Sequence, residues 1–465
     1  MVAGVSAVME LPDDAQRYPG LTPAGEQMLR FLREHPHAPI YRNASGHRLL
    51  PEELPQVLAF ADAVRDASVD PRADLGQSWL RDYVGNAMRR VPHYRRYGSA
   101  PEQIADLPTV RRGDLARDVA AFVPDDQPLE RLINFRTTGL TGQPLLIASH
   151  PQVAARYLAF HERALRRFGI ELSSGPGDVG VMLVGWQQRC FTYVSVTPQR
   201  GECGLAKINL HADDWRDAAD RGPYIDALKP EVITGDPLSL AALLAIDFAH
   251  RPRAILSTSM TLLDGLRTAL QARFDCPVLD VYSLNEAGPI AVFDPAVDAH
   301  VLLQPQMAIE ILDGDGEPVS LGERGEITLT GGFNFCLPLL RYRTGDHAAL
   351  ELRDGEWVLA GLAGRAPVRF RTSGGDWINN IDVTHALKPF ALPQYALLQA
   401  ADGSLQFDVH GNHSAEIGAV EAALRAVLGA QSTLKIATQA EPCDKVVQYR
   451  SELPEGDQSL AAVAR

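Results

Sequence analysis

Four compact apolar runs constrain this chain more than any other feature: VGVMLVG at 179–185, EVITG at 231–235, RAILSTS at 253–259 and PVLDVYS at 277–283. Turn residues bound each run, and two helical stretches, SLAALLAIDFAH and LLDGLRTALQARF, separate the last three. Short runs that are apolar throughout suit strands buried on both faces. Their alternation with helices predicts a largely parallel sheet flanked by helices, an α/β fold. Ligands of such sheets bind beyond the carboxyl ends of the strands, so the polar residues just after each run are the first candidates for function.

The flanking segments read differently. Residues 22–34, 52–66 and 76–90 have helical periodicity, and the last stops before Pro92. Leu145–Ala148 reads as a short strand, and Val153–Phe168 as a helix with Val153, Tyr157, Leu158, Leu165 and Phe168 on one face. Residues 307–331 predict antiparallel strands joined at a DGDG turn; the remaining ligands of a calcium loop are missing. Beyond 364 the order strand, strand, helix, hairpin, helix, strand suits a small α+β unit. The expected division is therefore a large N-terminal domain, 1–364, and a small C-terminal lid domain, 365–465.

With 465 residues, the chain is long enough for more than one core, and 46% apolar residues suffice to fill them. A net charge of −14 argues against non-specific nucleic-acid binding. The five cysteines, at 190, 203, 276, 336 and 443, are odd in number and never paired as C-x-x-C. They suggest a reducing compartment rather than a disulfide frame or a zinc site. No apolar run approaches the roughly 20 residues of a membrane span. The start, MVAGVSAVMELPDD, lacks a basic export leader. A cytoplasmic location without membrane partners is expected.

Three motifs stand in order: TTGLTGQP at 137–144, YSLNEAG at 282–288 and LPLLRYRTGD at 337–346. By composition alone the first is more often a plain turn than a phosphate loop. Together the three resemble the adenylate-forming enzymes, most closely the phenylacetate–CoA ligase branch. RRVPHYRRYG at 89–98 and ADLPTVRRGDL at 105–115 look like that branch's lead-in. The resemblance runs from about residue 80 to 365, and more weakly to the C-terminus. It implies ATP-dependent activation of a carboxylic acid as acyl-adenylate, then transfer to the thiol of coenzyme A. It also implies Mg2+, a mobile small domain and, commonly, a homodimer.

The resemblance assigns roles residue by residue. Thr137, Thr138, Gly139, Thr141 and Gly142 would wrap the triphosphate with hydroxyl and backbone N–H donors. Leu140 and Gln143 depart from the family's pattern, removing a hydroxyl and a frequent lysine. Tyr282 would stack on adenine, Asn285 stand near the α-phosphate and Glu286 hold Mg2+. Asp346 would accept from both ribose hydroxyls, with Arg365 reaching the ribose or phosphate. Arg341 and Arg343 could be ordinary surface charges. Lys445 would neutralise charge developing at the α-phosphorus, although Asp444 replaces the usual glycine before it. Pro367 follows the hinge where relatives write acidic residues, which narrows the torsions open to a swing.

The acyl pocket would be lined by Trp186, Phe191, Tyr193, Gly235 and Asp236, a flat apolar cavity suited to an aromatic or arylacetic acid. The same aromatics would serve equally as core. Cys190 has no partner expected of a nucleophile. No cysteine lies between 277 and 335, so the zinc cluster of some relatives is not expected. Two alternatives remain open: an adenylating enzyme passing its acyl group to an amine or a carrier-protein thiol, and a non-catalytic acyl- or nucleotide-binding relative.

Overall fold

The computed structural model describes residues 12–137, 145–187, 190–364, 368–410, 416–439 and 446–453. A 13-stranded sheet runs through its centre. Five strands are parallel neighbours, in the order Cys203–Asn209, Val179–Gly185, Val232–Gly235, Ala254–Thr258 and Val278–Leu284. Four of them are the apolar runs. The fifth, CGLAKIN, carries glycine and lysine in place of a continuous apolar run, which hid it from sequence reading. Tyr193–Thr197 closes that edge antiparallel.

On the other side of Val278–Leu284 the sheet turns antiparallel, through Gly288–Asp294, Ala299–Leu302, Glu356–Ala363, Leu339–Arg353, Arg324–Gly331 and Met307–Leu312. The expected hairpin is the last pair, in register from Met307 opposite Gly331 to Leu312 opposite Glu326. Its DGDG turn is held by Asp313, whose Oδ1 accepts from the amides of Asp315, Gly316 and Glu317, each at 2.9 Å. That is a side-chain-braced turn.

Helices cover both faces. Pro151–Arg167 buries Val153, Phe160, Ala164 and Leu165 against Leu256, Leu279 and Val281. Pro237–Leu244 and Asp264–Phe274 bury Leu240, Leu243, Leu266 and Leu270 against Ile233, Ile255 and Val278 on the opposite side. Each buried Val, Leu or Phe among them contributes about 1.5–3 kcal/mol. The first of these two helices is shorter than SLAALLAIDFAH suggests. The amides of Ala245 and Ile246 bond three residues back, to Ala242 and Leu243, and the helix ends.

Leu145–Ser149 lies outside the large sheet. It forms a separate hairpin with Ile133–Thr137, in register from Ile133 opposite Ser149 to Thr137 opposite Leu145. Leu145 and Ile147 are nevertheless buried in the same cluster as Ala287, Ile290 and Tyr342.

The C-terminal part builds a four-stranded sheet, in the order Leu434–Gln439, Leu405–His410, Gln394–Gln399 and Tyr449–Ser451. The short edge strand Tyr449–Ser451 has no counterpart in the sequence reading. Helices Asn380–Leu387 and Ile417–Leu428 pack on this sheet around Phe370, Val383, Leu397, Phe407 and Leu424. Leu263, at the start of the Asp264–Phe274 helix, joins that core. Next to it the Gly265 amide donates to Lys388 O at 2.9 Å. A Cβ at position 265 would collide with the Phe390 backbone, so glycine is required by close approach alone.

Candidate active site

The strand Val278–Leu284 delivers Tyr282 and then turns at Asn285 and Glu286 into Gly288–Asp294. The turn depends on Gly288, with φ +74°, where a Cβ would meet the Phe333 ring at 2.5 Å. Tyr157, on the covering helix, braces it by donating its hydroxyl to Asn285 O at 2.7 Å. The Asn285 side chain is exposed, and Glu286 is buried.

Asp346 comes from the long strand Leu339–Arg353. On that strand Arg343 pairs with Thr328 and His347 with Glu326, so 344–346 oppose Ile327 alone. The extra residues bulge out of the ladder. Gly345 takes φ +84°, and the Asp346 amide bonds Thr344 Oγ1 at 3.0 Å. The bulge carries Asp346 to Tyr282, whose hydroxyl donates to Asp346 Oδ2 at 2.9 Å. Gly364 runs past the same carboxylate; a Cβ there would lie 3.5 Å from Asp346 Oδ1.

Tyr342 was not singled out from sequence. It is buried, and its hydroxyl donates to Glu286 Oε1 at 2.5 Å. The only available signal was its place between two arginines just after the apolar stretch LPLL. Burial, reinforced by the facing carboxylates of Asp346 and Glu286, raises the phenols of Tyr282 and Tyr342 well above their ordinary value. Both therefore remain donors at any working pH, and both hold a carboxylate oxygen in place.

Arg341 and Arg343 are buried, contrary to the reading as surface charges. Arg341 Nε bonds Glu310 Oε2 at 3.1 Å, and its NH1 donates to Ala105 O at 2.8 Å and Leu107 O at 2.7 Å. Arg343 Nε bonds Glu326 Oε2 at 2.7 Å. Arg343, next after Tyr342, alternates to the other face, whereas Arg341 takes a left-handed conformation, φ +44°, where the register slips between Leu339 and Tyr342, and reaches Glu310 from there. They anchor the strand that presents Tyr342 and Asp346.

Of the residues expected to wrap a triphosphate, Thr138, Gly139, Thr141 and Gly142, with Leu140 and Gln143 beside them, lie outside the described residues. Their flanks are the Ile133–Thr137 and Leu145–Ser149 hairpin, which Asn334 ties down by donating Nδ2 to Ala148 O at 3.0 Å. The backbone of Thr137 forms the last hairpin pair, opposite Leu145. Arg365, Pro367, Asp444 and Lys445 also lie outside the described residues.

The residues assigned to the acyl pocket follow the ends of the parallel strands. Trp186 comes directly after Gly185 and lies edge-on to His211, with ring centroids 5.9 Å apart. Phe191 is half exposed and packs on Tyr193 at 5.5 Å. Gly235 is pressed on Val184, where a Cβ would meet the Val184 carbonyl at 3.0 Å. Asp236 caps the Pro237–Leu244 helix, accepting from Ser239 N at 2.7 Å, so it has a structural task whatever else it does. Cys190 lies against Gly185, and burial raises its thiol, which opposes a nucleophilic role.

This geometry puts a buried carboxylate at Glu286, held by Tyr342, and a second, bulged one at Asp346, held by Tyr282. A carboxylate fixed by a phenol is a hard, negatively charged acceptor of the kind that suits a hard cation or a sugar hydroxyl. The residue types therefore fit Mg2+ at Glu286 and a ribose at Asp346.

No known protein-family profile matches the chain. The phenylacetate–coenzyme A ligase of Aromatoleum evansii is 23% identical over 399 residues, covering 77% of this chain and 86% of that protein. Protein CapK of Staphylococcus aureus is 20% identical over 256 residues, and the match spans only 54% of its length. Among solved structures, a 2-hydroxyisobutyryl-CoA ligase in the postadenylation state, in complex with an acyl-AMP, superimposes with a TM-score of 0.60. It is 16% identical, and the superposition covers 82% of this chain and 89% of that one. In sequence the chain resembles the phenylacetate–CoA ligases, and it has the fold of the acyl-CoA ligases of the adenylate-forming superfamily.

Proposed function

We propose that the chain activates a carboxylic acid of aryl or arylacetic type with ATP and passes the acyl group to the thiol of coenzyme A. The reading is carried by one arrangement: Tyr282, Glu286 and Asp346 meet at the end of a central strand, each carboxylate held by a phenol. In it, the carboxylate oxygen of the acid attacks the α-phosphorus, the bond to pyrophosphate breaks, and the acyl-adenylate forms. The thiol sulfur then attacks the acyl carbon and AMP leaves.

Tyr282 stacks on the adenine, Asp346 receives the ribose hydroxyls and Glu286 holds Mg2+. Bound there, Mg2+ supplies positive charge against the phosphates. Thr137, Thr138, Gly139, Thr141 and Gly142 surround the phosphates, Asn285 and Arg365 add donors, and Lys445 approaches from the small domain to offset charge at the α-phosphorus. Trp186, Phe191, Tyr193, Gly235 and Asp236 border the acyl group. We assign 1–364 to the adenylating domain and 365–465 to a lid that turns between the two half-reactions. Among the described residues no helix is long and apolar enough to cross a membrane. We place the enzyme in the cytoplasm.

Pyrophosphate release with ATP, Mg2+ and a panel of acids tests the reading. The expected result is acid-dependent release that rises with coenzyme A, with acyl-CoA identified by mass, and its loss in Glu286→Gln. Absence of release from the parent with every acid would instead support a binding-only relative.

A second acceptor reading rests on Pro367 and on Leu140 and Gln143, where the chain departs from the family pattern. Adenylation indifferent to coenzyme A, with an added amine or a carrier-protein thiol acylated instead, would establish it.

A further inference from the structure

Lys207 sits two residues before the end of the parallel strand Cys203–Asn209, paired with Leu183 on one side and Tyr193 on the other. Its neighbours Ala206 and Ile208 point into the core with Met182, Val184, Val194 and Val196. Alternation therefore turns Lys207, Leu183 and Tyr193 to the opposite face of the sheet. That face carries Tyr193, one of the aromatics bordering the assigned acyl site.

The lysine is half-buried and has no hydrogen bond or ion pair within 4 Å among the described residues. The nearby acids are already committed. Asp214 pairs with Arg42 and accepts from Asn209 Nδ2 at 2.7 Å. Asp236 caps a helix. Both, with Lys207, lie within electrostatic reach of the Cys190 thiol, which itself abuts Gly185 at the end of the neighbouring strand. Lys207 thus stands one strand spacing, ~4.8 Å, from Leu183, two residues before the strand end at Gly185 that leads into Trp186. A partly desolvated ammonium without a partner favours an acceptor oxygen brought by a ligand.

We propose that Lys207 is a specificity-determining residue at the far end of the acyl pocket, and that the substrate is an aromatic acid bearing an acceptor oxygen on its ring, remote from the reacting carboxylate. The proposal rests on the acid-activating reading above. The acceptor can be a ring hydroxyl or a second carboxylate, since one ammonium serves both.

The test compares kcat/KM for pyrophosphate release with phenylacetic and cinnamic acids, each unsubstituted, para-hydroxylated or para-carboxylated. The parent is expected to prefer an oxygen-bearing acid at least tenfold, and the better of the two arms names the acceptor. Lys207→Met should abolish that preference mainly through KM, keep its activity on the unsubstituted acids within about twofold of the parent, and melt as the parent does; about 1.4 kcal/mol corresponds to the tenfold ratio. Lys207→Arg should retain part of the preference. A parent without preference, or a preference that survives in a folded Lys207→Met protein, overturns the proposal while the ligase reading stands. Absence of release with all six acids sinks the ligase reading and this proposal with it.

Discussion

The phenol of Tyr342 donates to Glu286 Oε1 at 2.5 Å, joining the long antiparallel strand to the turn that ends the central parallel strand. Two segments 56 residues apart are thereby fixed at the assigned metal ligand. Hydrogen bonds to charged groups contribute about 1.5–3 kcal/mol. Tyr342→Phe should lower kcat for pyrophosphate release roughly 10- to 100-fold and raise the Mg2+ concentration needed for half-maximal rate. A Mg2+ titration of parent and variant checks this; an unchanged Mg2+ requirement would detach Tyr342 from the metal site.

Tyr282 holds Asp346 and is assigned to stack on adenine, and substitution separates the two. Tyr282→Phe keeps the ring and frees Asp346 from its 2.9 Å partner, so the KM for ATP should move less than about threefold. Tyr282→Ala removes the ring, and loss of stacking worth about 1–3 kcal/mol should raise that KM about 5- to 150-fold. Equal effects of the two variants would argue against adenine stacking.

The Arg341–Glu310 pair is buried on both sides. Burial raises the Glu310 carboxyl, and Arg341 opposes that shift. Removing one partner strands a buried charge at a cost of about 3–5 kcal/mol. Arg341→Met should therefore lower stability to chemical denaturation by that amount, whereas Arg341→Met combined with Glu310→Leu should recover much of it. A single variant as stable as the parent would show that the pair is solvated.

Glu231 supplies a pH test far from the chemistry. Burial pushes its carboxyl up, but the amides of Ser173 and Ser174, the Ser174 hydroxyl and Arg253 outweigh this and bring it down to about 2 from 4.5. The folded value lies below the unfolded one, so the carboxylate's stabilising contribution is complete above about 4.5 and is lost as pH falls towards 2. Glu231→Gln should be less stable near neutrality, and its stability should fall less steeply than the parent's across that window. Denaturation curves at stepped pH measure both slopes; parallel slopes would remove Glu231 from the acid transition.

Much of the framework was legible because its signals are local. Apolar runs of four to seven residues between turns marked four parallel strands, and the Met307–Gly331 hairpin followed from alternation. Cys203–Asn209 was not legible, because burial beside Val179–Gly185 lets a poor strand sequence pair. At the candidate site, Tyr282, Glu286 and Asp346 came from motif order, and the structure brings the flanks of those motifs into one cluster. Tyr342 and the buried partners of Arg341 and Arg343 were hidden because Glu286, Glu310 and Glu326 are distant in sequence. Charge pattern along one strand cannot reveal which face meets an acid on another.

The close seat of Gly265 beneath Phe390 has a further consequence. Its amide is closed by Lys388 O, so any swing of the C-terminal unit away from this helix must expose that N–H to water. If that unit swings, deuterium uptake at Gly265 would report the free energy of its opening through one backbone proton.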